Sequence, residues 1–456
     1  MNPSLLLAAL VLAADPTPAL GPTYAGASSS AARSSNVSWW TRFADPELNT
    51  LVKQGTANNF SVLTAQSRID EADAVVAQQL APLLPTATWD TSLTTGPLDS
   101  LGFQFGGGVG GGAPMVDLPE LYWQASSAVN LSIGIDVTGT NVLGHRAAKD
   151  DRKAAKDDVA AQRQAVASQI AAAYYDVVTA RAQLVIAKKQ VETNEQLLEL
   201  TEAKFDTGQA NAVDVLQQRQ QVASSKLQIP RAEQQERAFE QRLAVLLGEA
   251  PGKRFDTPRS LPGLPAQPDV GAPIDLINTR PDLRAKRTRL EGTEKRTKVA
   301  RRSFAPNLSL SARGGVQAIN TTGDWGNQGF WSATATLSVP IYTGGSTYAR
   351  MRQAKAQQRT ASRDLSQSTL TAVQEVEDAL LREAQQREVL KLYEEQYAAA
   401  KAAFDESRTR YAEGVAEYLP VFTALSSLQR VELDIVTAKR DLIAARIALY
   451  TALGDR

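Results

Sequence analysis

The chain contains an internal repeat with an offset of 206 residues and no insertion between its two copies. A turn at Phe205-Asp206-Thr207-Gly208 interrupts a long helical pattern, and Tyr411-Ala412-Glu413-Gly414 occupies the equivalent place in the second half. Other pairs that align at this offset are Leu131 and Leu337, Gly139 and Gly345, Arg146 and Arg352, Lys149 and Lys355, Gln190 and Gln396, Leu227 and Leu433, Leu247 and Leu453, and Gly248 and Gly454. An indel-free repeat of this length indicates helices and strands whose lengths are fixed by geometry. The sequence therefore predicts a duplicated structural unit.

Each half contains one very long helical pattern, from about Val142 to Thr207 and from Ser346 to Ala412, and a return helix follows each turn. In the first helix apolar residues recur every seven positions, at Ile170, Val177, Leu184, Val191, Leu198 and Phe205, beside an alanine row at Ala173, Ala180 and Ala187. Seven-residue periodicity indicates coiled-coil packing, and small residues permit close helix approach. Glu383 interrupts the corresponding track of the second helix, and Pro230 predicts a kink or local break in the first return helix. At about 1.5 Å per residue, each long helix would measure about 100 Å.

Four segments are predicted to be strands: Thr86–Leu93, Trp123–Asp136, Leu308–Val316 and Trp331–Ile341. The glycine-rich residues 94–120 and the polar residues 317–329 are predicted to be loops. Long strands with alternating apolar and polar residues are typical of membrane β-barrels, in which about 9–11 residues cross the bilayer. The alternative is a soluble sandwich, whose strands typically have about 5–6 residues. Because the smallest membrane barrels need about eight strands, two, three or four copies of the chain would have to share one barrel.

The composition excludes several classes of function. The formal net charge is zero, which gives no indication of nucleic-acid binding, and the absence of cysteine excludes disulfides, thiolate metal sites and a cysteine nucleophile. His145 is the single histidine, so neither a catalytic triad nor a two-histidine metal site can form. The glycines at 106–112 lack the Gly-Lys-Ser/Thr ending of a phosphate-binding loop. The sequence thus predicts no enzyme, no cofactor and no metal.

Several short motifs lie outside the helical repeat. They are Gly21-Pro22-Thr23-Tyr24, Trp39-Trp40 with Phe43, Asp45-Pro46 with Asp45 as a helix N-cap, and Arg280-Pro281-Asp282-Leu283-Arg284. With these motifs and the paired turns, the chain resembles the outer-membrane efflux proteins, the TolC-like channel-tunnels of tripartite pumps. The resemblance covers nearly the whole chain. The resemblance implies an α+β membrane protein that combines a long antiparallel coiled-coil α-barrel with a transmembrane β-barrel, the latter shared between protomers with four strands per chain.

The same resemblance implies the function and the partners. The protein would be a homotrimer in the cell outer membrane, in contact with outer-membrane lipid and with a tunnel through the periplasm. It would act as a passive exit duct for drugs or other small molecules, beside a periplasmic adaptor (membrane fusion) protein and an inner-membrane transporter of the RND type. One alternative is a conduit for type I protein secretion. Another, from a different class, is a periplasmic adaptor or coiled-coil scaffold, against which the two strand pairs argue.

The predicted organisation along the chain has four parts. Residues 1–14, with an apolar run at Leu5–Ala14, resemble a secretory signal. Residues 15–250 form the first structural repeat, residues 251–275 an equatorial linker, and residues 276–456 the second repeat. Close members of the family carry a lipidated cysteine shortly before the Gly-Pro-x-Tyr motif, where this chain has Pro18.

The resemblance also assigns roles to residues at the two turns. Asp214 and Tyr411 match positions that link neighbouring helix pairs and hold the periplasmic gate shut. Phe205, Gly208, Glu413 and Gly414 belong to turns that would receive the helices of the adaptor. We expect Gly208 and Gly414 to adopt positive φ angles, which reverse the helix. The alternative interpretation of these residues is structural, with Asp214 solvated, Tyr411 packed in the helical seam and both glycines serving only to reverse the chain. In the second half, Pro420 and Thr423 stand where the family commonly has aspartates that ring the pore.

Overall fold

A computed structural model describes residues 21, 23–24, 38–97, 121–320 and 325–454. The helices are α1 (Pro46–Asn58), α2 (Phe60–Leu80), α3 (Thr140–Asp206), α4 (Ala212–Leu246), α5 (Leu276–Thr279), α6 (Pro281–Arg302), α7 (Ser346–Ala412) and α8 (Tyr418–Leu453), and the strands are β1 (Thr86–Pro97), β2 (Leu121–Ile135), β3 (Asn307–Asn320) and β4 (Trp325–Ser338). Both halves run through a helix, two strands, a helix of 67 residues and a return helix of 35 or 36 residues. The α+β class and the two-fold repeat are confirmed.

The four strands form one antiparallel sheet in the order β1-β2-β3-β4. Their register places the large apolar side chains on one face, and all of them are exposed in the single chain: Trp89, Leu93, Trp123, Val129, Leu131, Leu310, Val316, Trp331 and Leu337. The opposite face carries rows such as Ser92, Ser126, Gln317 and Gln328. The sheet therefore has one apolar face and one largely polar face.

The strands are longer than the sequence predicted. β1 continues to Pro97, β3 continues to Asn320, and β4 begins at Trp325, so the predicted loops at 94–97, 317–320 and 325–329 are wrong. The physical reason is cross-strand pairing: Gln317 lies opposite Ser126 on one side and Gln328 on the other, and backbone pairing of this kind needs no apolar side chains. Residues 98–120 lie outside the described part of the chain.

Within the described residues, no helix has the length and apolar character needed to cross a membrane. The chain divides into two compact units. One comprises Met1–Ile69, Ala154–Arg287 and Ser362–Arg456, and the other comprises Asp70–Lys153 and Thr288–Ala361, which includes the sheet. The boundaries at 15–250, 251–275 and 276–456 stay a prediction, and the signal-like residues 1–14 lie outside the described part of the chain.

The helices of the first unit pack around the predicted seam. Ile170, Val177 and Val191 are buried, and so are the alanines of the adjacent row at 173, 180 and 187. Asp45 caps α1 as predicted: its Oδ1 accepts hydrogen bonds from the backbone N–H groups of Glu47 and Leu48 at 3.0 and 3.2 Å. α4 continues through Pro230 without a break. Of the two predicted alternatives, the local break is therefore wrong and the kink stays a prediction.

Two arginines, Arg446 buried and Arg181 half-buried, connect the segment between the repeats to the long helices. Arg181 donates to the backbone oxygens of Phe255 and Thr257 and pairs with two glutamates of α4, Glu236 and Glu240. In the second half, Arg446 donates to the backbone oxygens of Pro265 and Ala266 and pairs with Glu383 of α7. Glu383, which interrupts the apolar track in sequence, is thus the partner of a buried cation. The sequence did not predict either cluster.

Candidate functional site

The two helical turns have matching backbone geometry. Gly208 and Gly414 have φ angles of 73° and 79°, in the left-handed region that favours glycine, so the predicted positive φ is confirmed. The N–H of Gly208 donates to the carbonyl of Phe205 at 2.9 Å, and the N–H of Gly414 donates to that of Tyr411 at 3.1 Å. A Cβ added at Gly208 would meet nothing within 4 Å, so the backbone conformation alone requires glycine there.

The helices that follow the turns begin differently. α4 has a capping box, in which the Asp214 N–H donates to Asn211 Oδ1 at 2.9 Å and the Asn211 N–H donates to Asp214 Oδ2 at 3.3 Å. At the start of α8, the N-cap residue Glu417 makes no side-chain capping bond. Asp214 is half-buried and its carboxylate has a local structural role. The two turns therefore have the same backbone geometry but different side-chain capping of the helix that follows.

Tyr411 is buried in an apolar cluster at the turns. Its ring lies 6.2 Å from that of Tyr418 in an edge-on arrangement, and the Lys204 ammonium lies 5.2 Å from the ring centroid. Its hydroxyl is buried without a hydrogen-bond partner among the described residues. Burial raises the pKa of Tyr411, the nearby Thr201 side chain lowers it, and the negative charge of Asp214 raises it further, so the balance is a rise. The two predicted gate residues are thus electrostatic neighbours within one chain, but no hydrogen bond joins them.

A buried polar network next to Tyr411 was not predicted. The hydroxyl of Tyr418 donates to Gln218 Oε1 at 2.7 Å, and Gln218 Nε2 donates to the backbone oxygen of Asn194 at 2.7 Å. Burial raises the pKa of Tyr418, with a further contribution from Asp214. The alanine row contained a usable signal, because its seven-residue spacing continues from Ala187 to Asn194, and a polar residue on a seam specifies helix pairing.

The surface around the turns is apolar and grooved. The exposed apolar residues here are Phe205, Val213, Leu216, Val415 and Leu419. A groove of about 440 Å³ between α3 and α7 is lined by Thr193, Gln196, Leu197, Leu200, Phe404, Arg408, Thr409, Ala412 and Glu413. All four predicted docking residues, Phe205, Gly208, Glu413 and Gly414, are exposed, and Glu413 lines the groove.

In the described ranges, no group of three or more His, Cys, Asp and Glu side chains is arranged to hold a metal ion. The His145 ring nitrogen Nδ1 lies 3.1 Å from the backbone oxygen of Val76. The geometry offers a surface for docking and a packed contact between two turns.

Comparisons with known proteins agree with this architecture. The family model described as "Outer membrane efflux protein" matches residues 51–249 and 273–455. Nodulation protein T of Rhizobium leguminosarum bv. trifolii is 27% identical over 430 residues, which cover 92% of this chain and 88% of that protein. The pyoverdine export outer membrane protein OpmQ of Pseudomonas aeruginosa is 29% identical over 420 residues, covering 91% of this chain and 86% of that one.

Solved structures show the same fold. The outer-membrane channel OprN superposes with a TM-score of 0.82 at 25% identity, covering 97% of this chain and 98% of that chain. The outer membrane protein VceC of Vibrio cholerae superposes with a TM-score of 0.78 at 22% identity, covering 93% and 99%. Fold and turns together define the class as an outer-membrane channel of an efflux system. The chain belongs to the outer membrane efflux protein family.

Proposed function

We propose that this channel is the passive exit duct of a tripartite efflux system and works as a homotrimer whose chains share one transmembrane β-barrel. The observation that carries the proposal is the sheet with one apolar and one polar face, which in a single chain leaves its outer strands β1 and β4 each unpaired along one edge. Lipid cannot satisfy the polar backbone groups of a free edge. Pairing of β4 with β1 of the next copy removes every edge, and three copies supply twelve strands.

The face assignment of the barrel follows from the same register. Trp89, Trp123 and Trp331 lie on the apolar face, which meets outer-membrane lipid. Asn130 and Arg313 lie opposite each other on the other face, which lines the water-filled lumen. Such a lumen carries no energy source, so an inner-membrane transporter of the RND type drives the transport.

A periplasmic adaptor docks on the turns. The support is the accessible apolar surface around Phe205 and Leu419 and the groove that Glu413 lines. An exposed apolar patch at the end of a rigid helical hairpin is a typical protein-docking surface. Gly208 and Gly414 contribute by setting the backbone of the two turns. The cargo is a small molecule, in line with the relative that is named for pyoverdine export.

The periplasmic end closes through Asp214 and Tyr411. The Tyr411 hydroxyl is buried without a hydrogen-bond partner, and the charge of Asp214 raises its pKa. In the closed tip, the Asp214 carboxylate of the same or a neighbouring chain accepts a hydrogen bond from this hydroxyl. Such a bond to a carboxylate contributes about 1–3 kcal/mol. Several such links in a trimer would favour the closed state.

Single-channel recording in planar bilayers tests the duct and its gate together. The wild-type protein should form channels, and Tyr411→Phe, which removes only the hydroxyl, should raise their conductance. Tyr397→Phe is the matched control, because Tyr397 packs against the same cluster one helix segment away from the turn. The gate is rejected if Tyr411→Phe behaves like the control. A wild-type protein that forms no channels contradicts the duct itself.

A further inference from the structure

Lys204 is a buried cation at the contact between the two turns. It lies in the last turn of α3, and only 6% of the residue is exposed. Its ammonium donates to Gln209 Oε1 at 3.2 Å and lies 5.2 Å from the centroid of the Tyr411 ring. A Cβ added at Gly414 would be 3.9 Å from both Lys204 Nζ and Gln209 Oε1. One side chain of the first turn therefore touches both Tyr411 and the surroundings of Gly414 in the second.

The local structure explains why a cation is tolerated here. Lys204 is at the C-terminal end of a long helix, where unpaired carbonyl groups favour positive charge. In the described part of the chain it forms no ion pair, so its charge is met by the Gln209 amide oxygen and the face of the Tyr411 ring. A cation–π contact needs the ring and is indifferent to the hydroxyl. The contact is thus chemically separate from any bond between Tyr411 and Asp214.

We infer that Lys204 is a positioning residue that holds the second turn against the first within one chain. This inference rests on the proposed function only in its consequence, namely that an opening movement that separates the two turns must break this contact. The contact itself is a property of the single chain. A distance measurement therefore tests it without reference to channel activity.

The experiment measures the distance between spin labels at two exposed positions, Asp206 and Ala412, which are equivalent under the repeat. The chain has no cysteine, so Asp206→Cys and Ala412→Cys place labels at unique sites. The full-length protein is purified in detergent after co-expression with an excess of cysteine-free chain, which restricts the pairs to one protomer. Pulsed electron paramagnetic resonance then gives the distance distribution.

Lys204→Met keeps an unbranched side chain that is one atom shorter and removes its charge. The population with separated turns should rise about 3-fold to 30-fold, the range that a cation–π contact of ordinary strength produces. Lys204→Arg keeps a cation and should restore the narrow distribution. Tyr411→Phe keeps the ring, so Lys204→Met should have the same effect in that background, whereas its effect should vanish in a Tyr411→Leu background.

Two results would overturn the inference. One is a Lys204→Met distribution that superimposes on the wild type, and the other is a Lys204→Arg distribution as broad as that of Lys204→Met. Circular dichroism and oligomeric mass verify that each variant folds. If the Tyr411→Leu protein does not fold, the Met and Arg variants decide the question alone. Channel recordings test a separate point. A wild-type protein that forms no channels contradicts the proposed duct, whereas spin-label distances that are unchanged in Lys204→Met contradict the Lys204 contact.

Discussion

Glu383→Gln removes the charge of a carboxylate that is buried in a bidentate pair. Its two oxygens accept from Arg446 Nη2 and Nε at 2.7 and 2.8 Å, and both side chains are only 1% exposed. Arg387 Nη2 also donates to Oε1, at 2.6 Å. Burial alone would lower the pKa of Arg446, but the hydrogen bonds and charge of Glu383 raise it on balance. Arg446 therefore stays charged, and the variant leaves that charge without its counterion.

The cost follows from this geometry. Removing one partner of a fully buried pair destabilises a protein by about 3–5 kcal/mol, because the other charge stays buried. The glutamine side chain also presents an N–H group to the Arg446 guanidinium, where glutamate presents an oxygen acceptor. The two linker carbonyls, Pro265 O and Ala266 O, keep Arg446 in place, so it cannot turn out to water without breaking those bonds too. We expect the upper half of that range.

Thermal unfolding of the detergent-solubilised protein, followed by far-ultraviolet circular dichroism at one scan rate, measures the effect. At about 1–2 °C per kcal/mol for a chain of this size, the upper half of that range corresponds to a Tm lowered by about 4–10 °C in Glu383→Gln. Glu406→Gln is the matched control, since Glu406 pairs with Arg410 at 2.6 Å while the two side chains are 64% and 61% exposed. An exposed pair contributes less than about 1 kcal/mol. Equal shifts for the two variants would refute the reasoning.

Two further predictions concern docking and alkaline pH. Phe205→Asp should abolish chemical cross-linking to the periplasmic adaptor while leaving the oligomeric mass unchanged. Val185→Asp is the control and should cross-link normally, because Val185 lies on the same helix and is 48% exposed, against 45% for Phe205. An equal loss of cross-linking in both variants would show that the turn is not part of the docking surface. Burial raises the pKa of Tyr174, Tyr175 and Tyr418 above the ordinary value of 10.0, so the stability they contribute is complete below about pH 10 and is lost as the pH rises through their folded-state values. Denaturant midpoints should be level up to that pH and fall above it, and a midpoint that rises with pH would contradict this.

Long-range periodicity made much of the fold predictable. The 206-residue offset and the seven-residue seam located the long helices to within a few residues, because the spacing of the apolar residues indicates both the length of a helix and its packing period. Strand ends were missed where polar residues such as Gln317 and Gln328 pair across the sheet. In those segments backbone pairing decides the structure, and the identity of the side chains says little about it.

The candidate site was predictable only in its backbone. The glycines in the two turns are visible in the sequence, and they indicate a positive φ at those positions. Lys204 and Gln218 act through partners that come close only after the hairpins pack. No local pattern marks a lysine whose partner ring is about two hundred residues away in the chain. The buried glutamate at 383 was visible as an interruption of the seam, but its meaning required Arg446 to be placed opposite.

The arginine clusters show how the two halves have diverged while keeping one backbone. Glu240 and Arg446 are equivalent under the repeat, so a buried anion of the first return helix stands where the second has a buried cation. Each faces an opposite charge on its long helix, Arg181 in one half and Glu383 in the other. If α4 and α8 exchanged places, Glu240 would lie beside Glu383 and Arg446 beside Arg181. Buried like charges are strongly unfavourable, so the reversed polarity disfavours this exchange of the two return helices.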